Sequence, residues 1–384
     1  MAERAAKPGN HNWMIAALAT LVVAAFWFGM FSTIWRRVLV GDNDFVVFYC
    51  GGKLAFTKLL YDPAACFAIQ EKLFGGSAAP LTYIRLPFHA AFMSALAWLP
   101  YEAAYGIYQA LQLSAVGWAV WRLRRLRPDF LFFAAFCPGL LVGFANGQDT
   151  GFVFALSVAA WLELREGSDR RDLQGGLLLS LCAIKIHLFP LVAVVLLIHG
   201  RWRTLAGGAL GGAALAAISF AANGNWPVRF LEALGNPAIH PVIGSTTSFF
   251  NIVNLLGGGT PLESLFAFAA ASIFGWATWR MRQRMPHAFD VSYGLALALG
   301  LLIGHHAYLQ DTVLMLAAVG ILSAVKAPPL LVHITAIAAI PPVAMLLLVG
   351  RPFSLVYPAM LVALLISAAA LAAKPALKQA PAPI

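Results

Sequence analysis

Charge is scarce in this sequence. Of its 384 residues only 11% are Asp, Glu, Lys or Arg and 61% are apolar, whereas a soluble domain carries about 25% charged and about 45–50% apolar residues. With a mean hydropathy of +0.78, the chain is excluded from the water-soluble folds and reads as an integral membrane protein. Cysteine is scarce too. Cys50, Cys66, Cys137 and Cys182 stand at spacings that match no zinc site, and no glycine-rich phosphate loop follows a strand-like run. Zinc chemistry and nucleotide-loop chemistry therefore have no support. At about 20 residues per helical crossing, the chain has room for ten or more spans and none for a large soluble domain.

What is present is a series of apolar runs. The first, 13–35, lacks a small-residue cleavage pattern and reads as a retained span. A short run, Leu86–Pro100, is too brief to cross and reads as a half-inserted helix that returns to its own side. Further runs follow at 101–121, 130–146, 149–164, 173–200, 204–222, 262–279, 290–306, 309–325, 329–349 and 353–373. The run 173–200 is long for one span, is basic at both ends and carries Lys185, His187 and Pro190 at its middle. Two short helices hinged at 185–190 bring both basic ends to one face. The expectation is an all-α polytopic membrane protein, a bundle of about twelve transmembrane helices with interfacial helices in the first outer loop. Residues 1–12 and 374–384 form cytoplasmic tails around a single membrane domain, 13–373, with two long outer loops at 36–100 and 223–261.

The net charge of +10 has three readings: nucleic acid, anionic lipid or the Lys/Arg bias that orients spans. With the N-terminus cytoplasmic, 17 of the 26 basic and 7 of the 16 acidic residues fall on that face, so the excess lies wholly inside and the outer face balances. Nucleic acid is then unnecessary as a partner, and membrane lipids are expected ones. The same parity puts Asp42, Asp44, Asp62, Gln148, Asp149, His305, His306, Gln310 and Asp311 on the outer side, in the cytoplasmic (inner) membrane.

Several of these residues have both a structural and a chemical reading. Asp44 opens a segment whose Phe45, Phe48, Leu54, Leu59 and Leu60 suit an interfacial amphipathic helix. Its carboxylate serves either the helix dipole, worth about 0.3–1 kcal/mol, or as a base at the membrane surface. Tyr61-Asp62-Pro63 reads as a turn with Asp62 as cap. His305-His306 with Gln310 and Asp311 favours a polar site, since ionisable groups at membrane depth are costly and usually functional; irregular imidazole spacing argues against a metal. Lys185, in an apolar run, needs an anion, either a bound phosphate or a carboxylate such as Asp149. Gln148-Asp149 reads as an interhelical turn with Asp149 capping the next span. Arg85 meets headgroups or a lipid phosphate. The loop 223–259 offers amides suited to sugars or headgroups, and Cys50 and Cys66 share one outer loop, where pairing is open.

NDFVVFY, LLYDP, the run ending ALAWLPYEAAY, ANGQ, the IKIHLFP break leading to GRWRTL, and HHAYLQDTVLML together resemble the family 87 glycosyltransferases. These are GT-C-type membrane enzymes similar to polyprenol-phosphate-mannose-dependent mannosyltransferases. The resemblance covers about residues 13–325. It implies a GT-C-like bundle that moves a sugar, a mannose-like hexose or a pentose, from a polyprenyl-phosphate donor to a lipid-linked or glycan acceptor on the outer face, without cofactor or metal. It maps the catalytic base onto Asp44 and the donor-phosphate histidine onto His306, with Asp311 downstream. His305, Lys185, Arg85 and Gln148 complete the expected substrate-binding set. The rival class is a transporter or flippase of lipid-linked sugars, which commonly shows repeated halves; no halfway repeat stands out in this chain.

Overall fold

The computed structural model describes residues 43–75, 81–127, 130–235 and 244–374, with isolated positions between 18 and 32. The expected tail 1–12, most of the first span and the tail beyond Lys374 lie outside these residues. Among the described residues every regular element is helical.

The first outer segment forms three short helices, α1 (Phe45–Leu54), α2 (Pro63–Phe74) and α3 (Pro87–Ala97). Proline opens α2 and α3, where its fixed φ suits a helix and its missing N–H is no loss. The Asp62 carboxylate caps α2, accepting from Ala64 N at 2.9 Å and Ala65 N at 3.3 Å. The expectation of an interfacial α1 is corrected. All its residues but Lys53 are buried, because Phe45 enters a tyrosine cluster from the next helix, 5.6 Å from Tyr101, 5.2 Å from Tyr105 and 5.0 Å from Tyr108 between ring centres. Cys50 and Cys66 are buried, unpaired thiols between α1 and α2.

That next helix is α4 (Tyr101–Leu126), followed by α5 (Phe130–Ala135), α6 (Pro138–Ala145), α7 (Thr150–Glu166) and α8 (Asp169–Leu181). The long run after α8 breaks where its sequence suggests. Residues Cys182–Leu188 tighten into a 3₁₀ turn, Lys185 leaves helical geometry at φ −131° and ψ 53°, and α9 (Pro190–Ile198) restarts at a proline. The two basic ends of the run do lie together, for Arg201 reaches Asp172 at 2.9 Å and Arg203 reaches Asp169 at 2.5 Å. The chain therefore enters and returns. Helix α10 (Trp202–Ala222) then packs on α8 at backbone contact, since a Cβ on Gly207 would stand 2.2 Å from the Leu173 carbonyl oxygen. Small residues permit such close approach between helices.

After α11 (Trp226–Leu234), α12 (Phe249–Leu255) and α13 (Thr260–Arg282) come α14 (Ala288–Ile303) and α15 (Val313–Ala324). Apart from Asp290 and Ser292 in the first turns of α14, these two are almost wholly apolar and are buried along nearly their whole length, as expected for helices with no polar face to show. They form the central hairpin. Its tip, Gly304–Thr312, carries the paired histidines and Asp311. Outside it lie α16 (Pro329–Ala339), α17 (Pro341–Val349) and α18 (Val356–Ala373). Trp202–Ala222 and Phe353–Ala373 are each long and apolar enough to cross a bilayer, and α16 with α17, bent by 51° ahead of Pro341, makes a third candidate. The other apolar helices are shorter.

Candidate active site

Asp44 stands at the N-terminus of α1 but does not cap it. Asn43 Oδ1 accepts from Phe45 N at 3.0 Å instead, and the Asp44 carboxylate makes no capping bond. Its partners come from the turn between α6 and α7: the Asp44 backbone N–H donates to the Asn146 carbonyl at 2.8 Å, and the Gln148 side-chain amide donates to Asp44 Oδ2. Gly147 makes that approach possible. Its φ is +61°, and a Cβ there would lie 2.6 Å from the Phe45 Cβ, so the position demands glycine.

From Gln148 a continuous polar chain runs into the protein. Arg85 Nη2 donates to Gln148 Oε1 at 3.1 Å and pairs with Asp149 Oδ2 at 3.1 Å. Lys185 Nζ lies 3.6 Å from Asp149 Oδ1 and 2.8 Å from Asp311 Oδ1, and Asp311 Oδ2 accepts from Tyr308 N at 2.9 Å. The structure thus brings together Asp44, Gln148, Arg85, Asp149, Lys185 and Asp311 from five separate parts of the chain. Two expectations change. Asp149 is no helix cap; its side chain makes no capping bond and sits between the two cations, because a buried ammonium and guanidinium both require a counter-charge. Lys185 has carboxylates as its anions, so of its two readings the structure takes the second.

The electrostatics separate the carboxylates. Burial holds Asp44 above its ordinary value, outweighing the Gln148 hydrogen bond and the Arg85 and Lys185 charges that pull it down, with Asp149 adding to the rise. Asp149 instead lies between two cations, Arg85 Nη2 at 3.1 Å and Lys185 Nζ at 3.6 Å, which compensate its charge. Asp44 is half-buried and Asp149 fully buried.

The histidines form a neighbouring cluster. His305 Nδ1 lies 2.7 Å from Glu263 Oε2, and the His305 and His306 rings meet edge to face at 4.7 Å. No carboxylate of the Asp44 chain is bonded to His305. Yet the turn that holds both histidines rests on the break that holds Lys185: a Cβ on Gly304 would stand 3.4 Å from the His187 carbonyl oxygen, and one on Gly300 would stand 2.1 Å from that of Leu188. Glu263 was not legible as a partner, because it opens α13 like any first-turn acid.

A cavity of about 480 Å³ opens between Lys58, Leu59, Tyr61, Asp62, Pro63, Thr82, Tyr83 and the Arg229, Glu232 and Ala233 face of α11. Asp44 is not among its lining residues. Tyr61, in its wall, donates to the Arg85 carbonyl at 2.8 Å. The volume falls in the range of about 300–1,000 Å³ usual for small-molecule sites, and acids and bases are balanced in its lining.

Chemically, the arrangement offers a partly exposed carboxylate of raised proton affinity, held by an amide and backed by paired charges. The family model for glycosyltransferase family 87 matches residues 83–304, more than half of the chain. No curated protein and no solved structure gives a significant match.

Proposed function

The chain belongs to glycosyltransferase family 87 and is a glycosyltransferase, and from that premise we propose that it moves a sugar from a polyprenyl-phosphate donor to a hydroxyl of a lipid-linked or glycan acceptor, on the extracytoplasmic side of the cytoplasmic membrane. The observation that carries this is Asp44. Among the described residues it is the carboxylate of the cluster with no cation in direct contact, and burial raises its proton affinity, as a general base requires.

In the proposed step the acceptor oxygen attacks the anomeric carbon as its proton passes to Asp44. The bond from that carbon to the phosphate oxygen breaks, and the polyprenyl phosphate leaves with the bonding pair. One displacement inverts the anomeric centre. Phosphate is a good leaving group, so no second carboxylate is needed as acid. Gln148 orients the base. Arg85, Asp149, Lys185 and Asp311 act as positioning residues that fix Gln148, while His306 and His305 stand at the donor side. Positive charge or donors placed where the phosphate gains charge stabilise the transition state.

The test is Asp44→Asn in purified full-length protein given a panel of polyprenyl-phosphate sugars and native-membrane acceptors. Loss of a positioned base costs about 10²–10⁴-fold in rate. Expected are normal insertion, unchanged donor binding and transfer reduced by that factor. Transfer at the parental rate removes Asp44 as the base.

A further inference from the structure

A leaving phosphate needs a cation, and the cations named so far are already neutralised. At the end of the bundle that carries Asp44, Arg85 pairs with Asp149, Lys185 with Asp311 and Asp149, and Arg229 with Glu232 at 3.1 Å. Lys53, Lys58 and Lys72 are exposed side chains. Arg351, in the link between α17 and α18, is different. It is half-buried, and its only hydrogen-bond partner among the described residues is the neutral Asn251. The sequence shows why: no Asp or Glu occurs between Glu232 and Glu263, and none after Asp311.

Nor is the side chain loose. Nε donates to Asn251 Oδ1 at 3.2 Å and Nη2 to the Asn251 carbonyl at 2.7 Å, which occupies one edge of the guanidinium and leaves Nη1 with both hydrogens. Asn251 is itself fully buried and donates to Ser354 Oγ at 3.2 Å and to the Thr246 carbonyl at 3.3 Å. In the same segment the Thr246 and Ser248 hydroxyls are fully buried and have no hydrogen-bond partner among the described residues, a condition that native structures rarely leave unexplained. The patch therefore gathers a fixed positive charge and spare donors, with no carboxylate bonded to them among the described residues.

Its place fits the chemistry. Thr247 N donates to the Ala307 carbonyl at 2.9 Å, and the Phe250 ring meets the His305 ring edge-on at 5.0 Å. The segment that grips Arg351 thus lies on the turn that carries His305 and His306. We propose that Arg351, held by Asn251 and joined by the Thr246 and Ser248 hydroxyls, forms a phosphate-binding subsite that takes the phosphomonoester of a membrane-embedded donor. Only the identity of that phosphate rests on the proposed function; a lipid headgroup phosphate presents the same chemistry.

The experiment measures binding of a fluorescent isoprenyl monophosphate to the full-length protein in phosphatidylcholine nanodiscs, with inorganic phosphate and phosphatidylglycerol-containing nanodiscs as further arms. Arg351→Gln is expected to weaken isoprenyl monophosphate at least tenfold, and Arg351→Lys to recover part of that loss. A loop fastened by Arg351 for structural reasons alone is distinguished by Thr246→Val with Ser248→Ala. That variant removes unsatisfied hydroxyls, so its unfolding midpoint should hold or rise while isoprenyl monophosphate binds more weakly. Competition by phosphatidylglycerol that Arg351→Gln abolishes upholds the subsite and gives it to a headgroup; competition by inorganic phosphate alone upholds it without need of a lipid. Equal affinity in the parent and every variant overturns the subsite. A parent that binds the probe through Arg351 yet transfers no sugar from any sugar-loaded carrier refutes the glycosyltransfer reading and leaves the subsite standing.

Discussion

Lys185→Met tests the buried charge chain most directly. The Lys185 side chain is 4% exposed, and its partners Asp149 and Asp311 are 1% and 0% exposed. Removing one partner of a buried ion pair costs about 3–5 kcal/mol, because the charge left behind has neither solvent nor counter-charge. The burden falls unevenly. Asp149 keeps Arg85 at 3.1 Å, while among the described residues Asp311 keeps the Tyr308 N–H at 2.9 Å and no cation. Adding Asp311→Asn to the same chain removes the orphaned charge, so the double variant should recover much of the loss, with a coupling of about 2 kcal/mol or more in a double-mutant cycle. Chemical unfolding of the detergent-solubilised full-length protein reads the four corners of that cycle. A loss under about 1 kcal/mol for Lys185→Met, or additive effects of the two changes, refutes the chain as a coupled unit. Kinetics supply an independent check. As a positioning residue Lys185 should lower kcat and leave the donor KM alone; a raised donor KM at constant kcat makes it a phosphate ligand after all.

Other outcomes follow from the geometry around Asp44. The base works only when ionised, so the rate falls as pH drops through its pKa, and burial already sets that acid limb above the ordinary 3.8. The Gln148 hydrogen bond pulls the value down; Gln148→Leu should therefore move the acid limb of the kcat profile to higher pH, and a limb that stays put or moves lower contradicts the assignment. Gly147→Ala forces a Cβ into left-handed backbone, a cost of about 1–2 kcal/mol, and against the Phe45 Cβ; lower stability and lower kcat together are expected, and a stable, fully active variant counts against the anchoring of Asp44 by this turn. Gly207→Val should part α8 from α10, measured as loss of monodisperse protein on size-exclusion chromatography, since the new side chain would overlap the Leu173 carbonyl.

Much of the fold was legible because its signals are local. The hinge at Lys185–Pro190 followed from run length, two basic ends and a proline, and the Arg201–Asp172 pair places those ends together. The Asp62 cap followed from Tyr-Asp-Pro in the same way. What escaped depended on distant partners. Helix α1 resembled a surface helix because its tyrosine partners lie about sixty residues on, in α4. Asp149 resembled a cap because a carboxylate before a helix usually is one, and only the fold brings Arg85 and Lys185 against it. Arg351 gave no local signal. Its meaning lies in the missing carboxylates around it, which become informative once Asn251 is seen to hold it.

The choice of base among three neighbouring carboxylates follows from charge counting. Asp44, Asp149 and Asp311 share two cations, Arg85 and Lys185, so one acid must go without direct ionic compensation. Asp149 contacts both cations and Asp311 contacts Lys185. The Asp44 carboxylate accepts from the Gln148 amide, while its backbone N–H donates to the Asn146 carbonyl. Asp44, without a cation in contact among the described residues, has its pull on a proton raised by burial, and it is also the one of the three that the fold leaves partly exposed. Deep burial is tolerable for the other two because their counter-ions travel with them. Asp149→Asn tests this logic from the opposite direction. It deletes a carboxylate that raises the Asp44 pKa and releases Arg85 to act on Asp44 without a competitor, so the acid limb should move to lower pH even as stability falls. An upward shift would place the decisive cation somewhere other than Arg85 and Lys185.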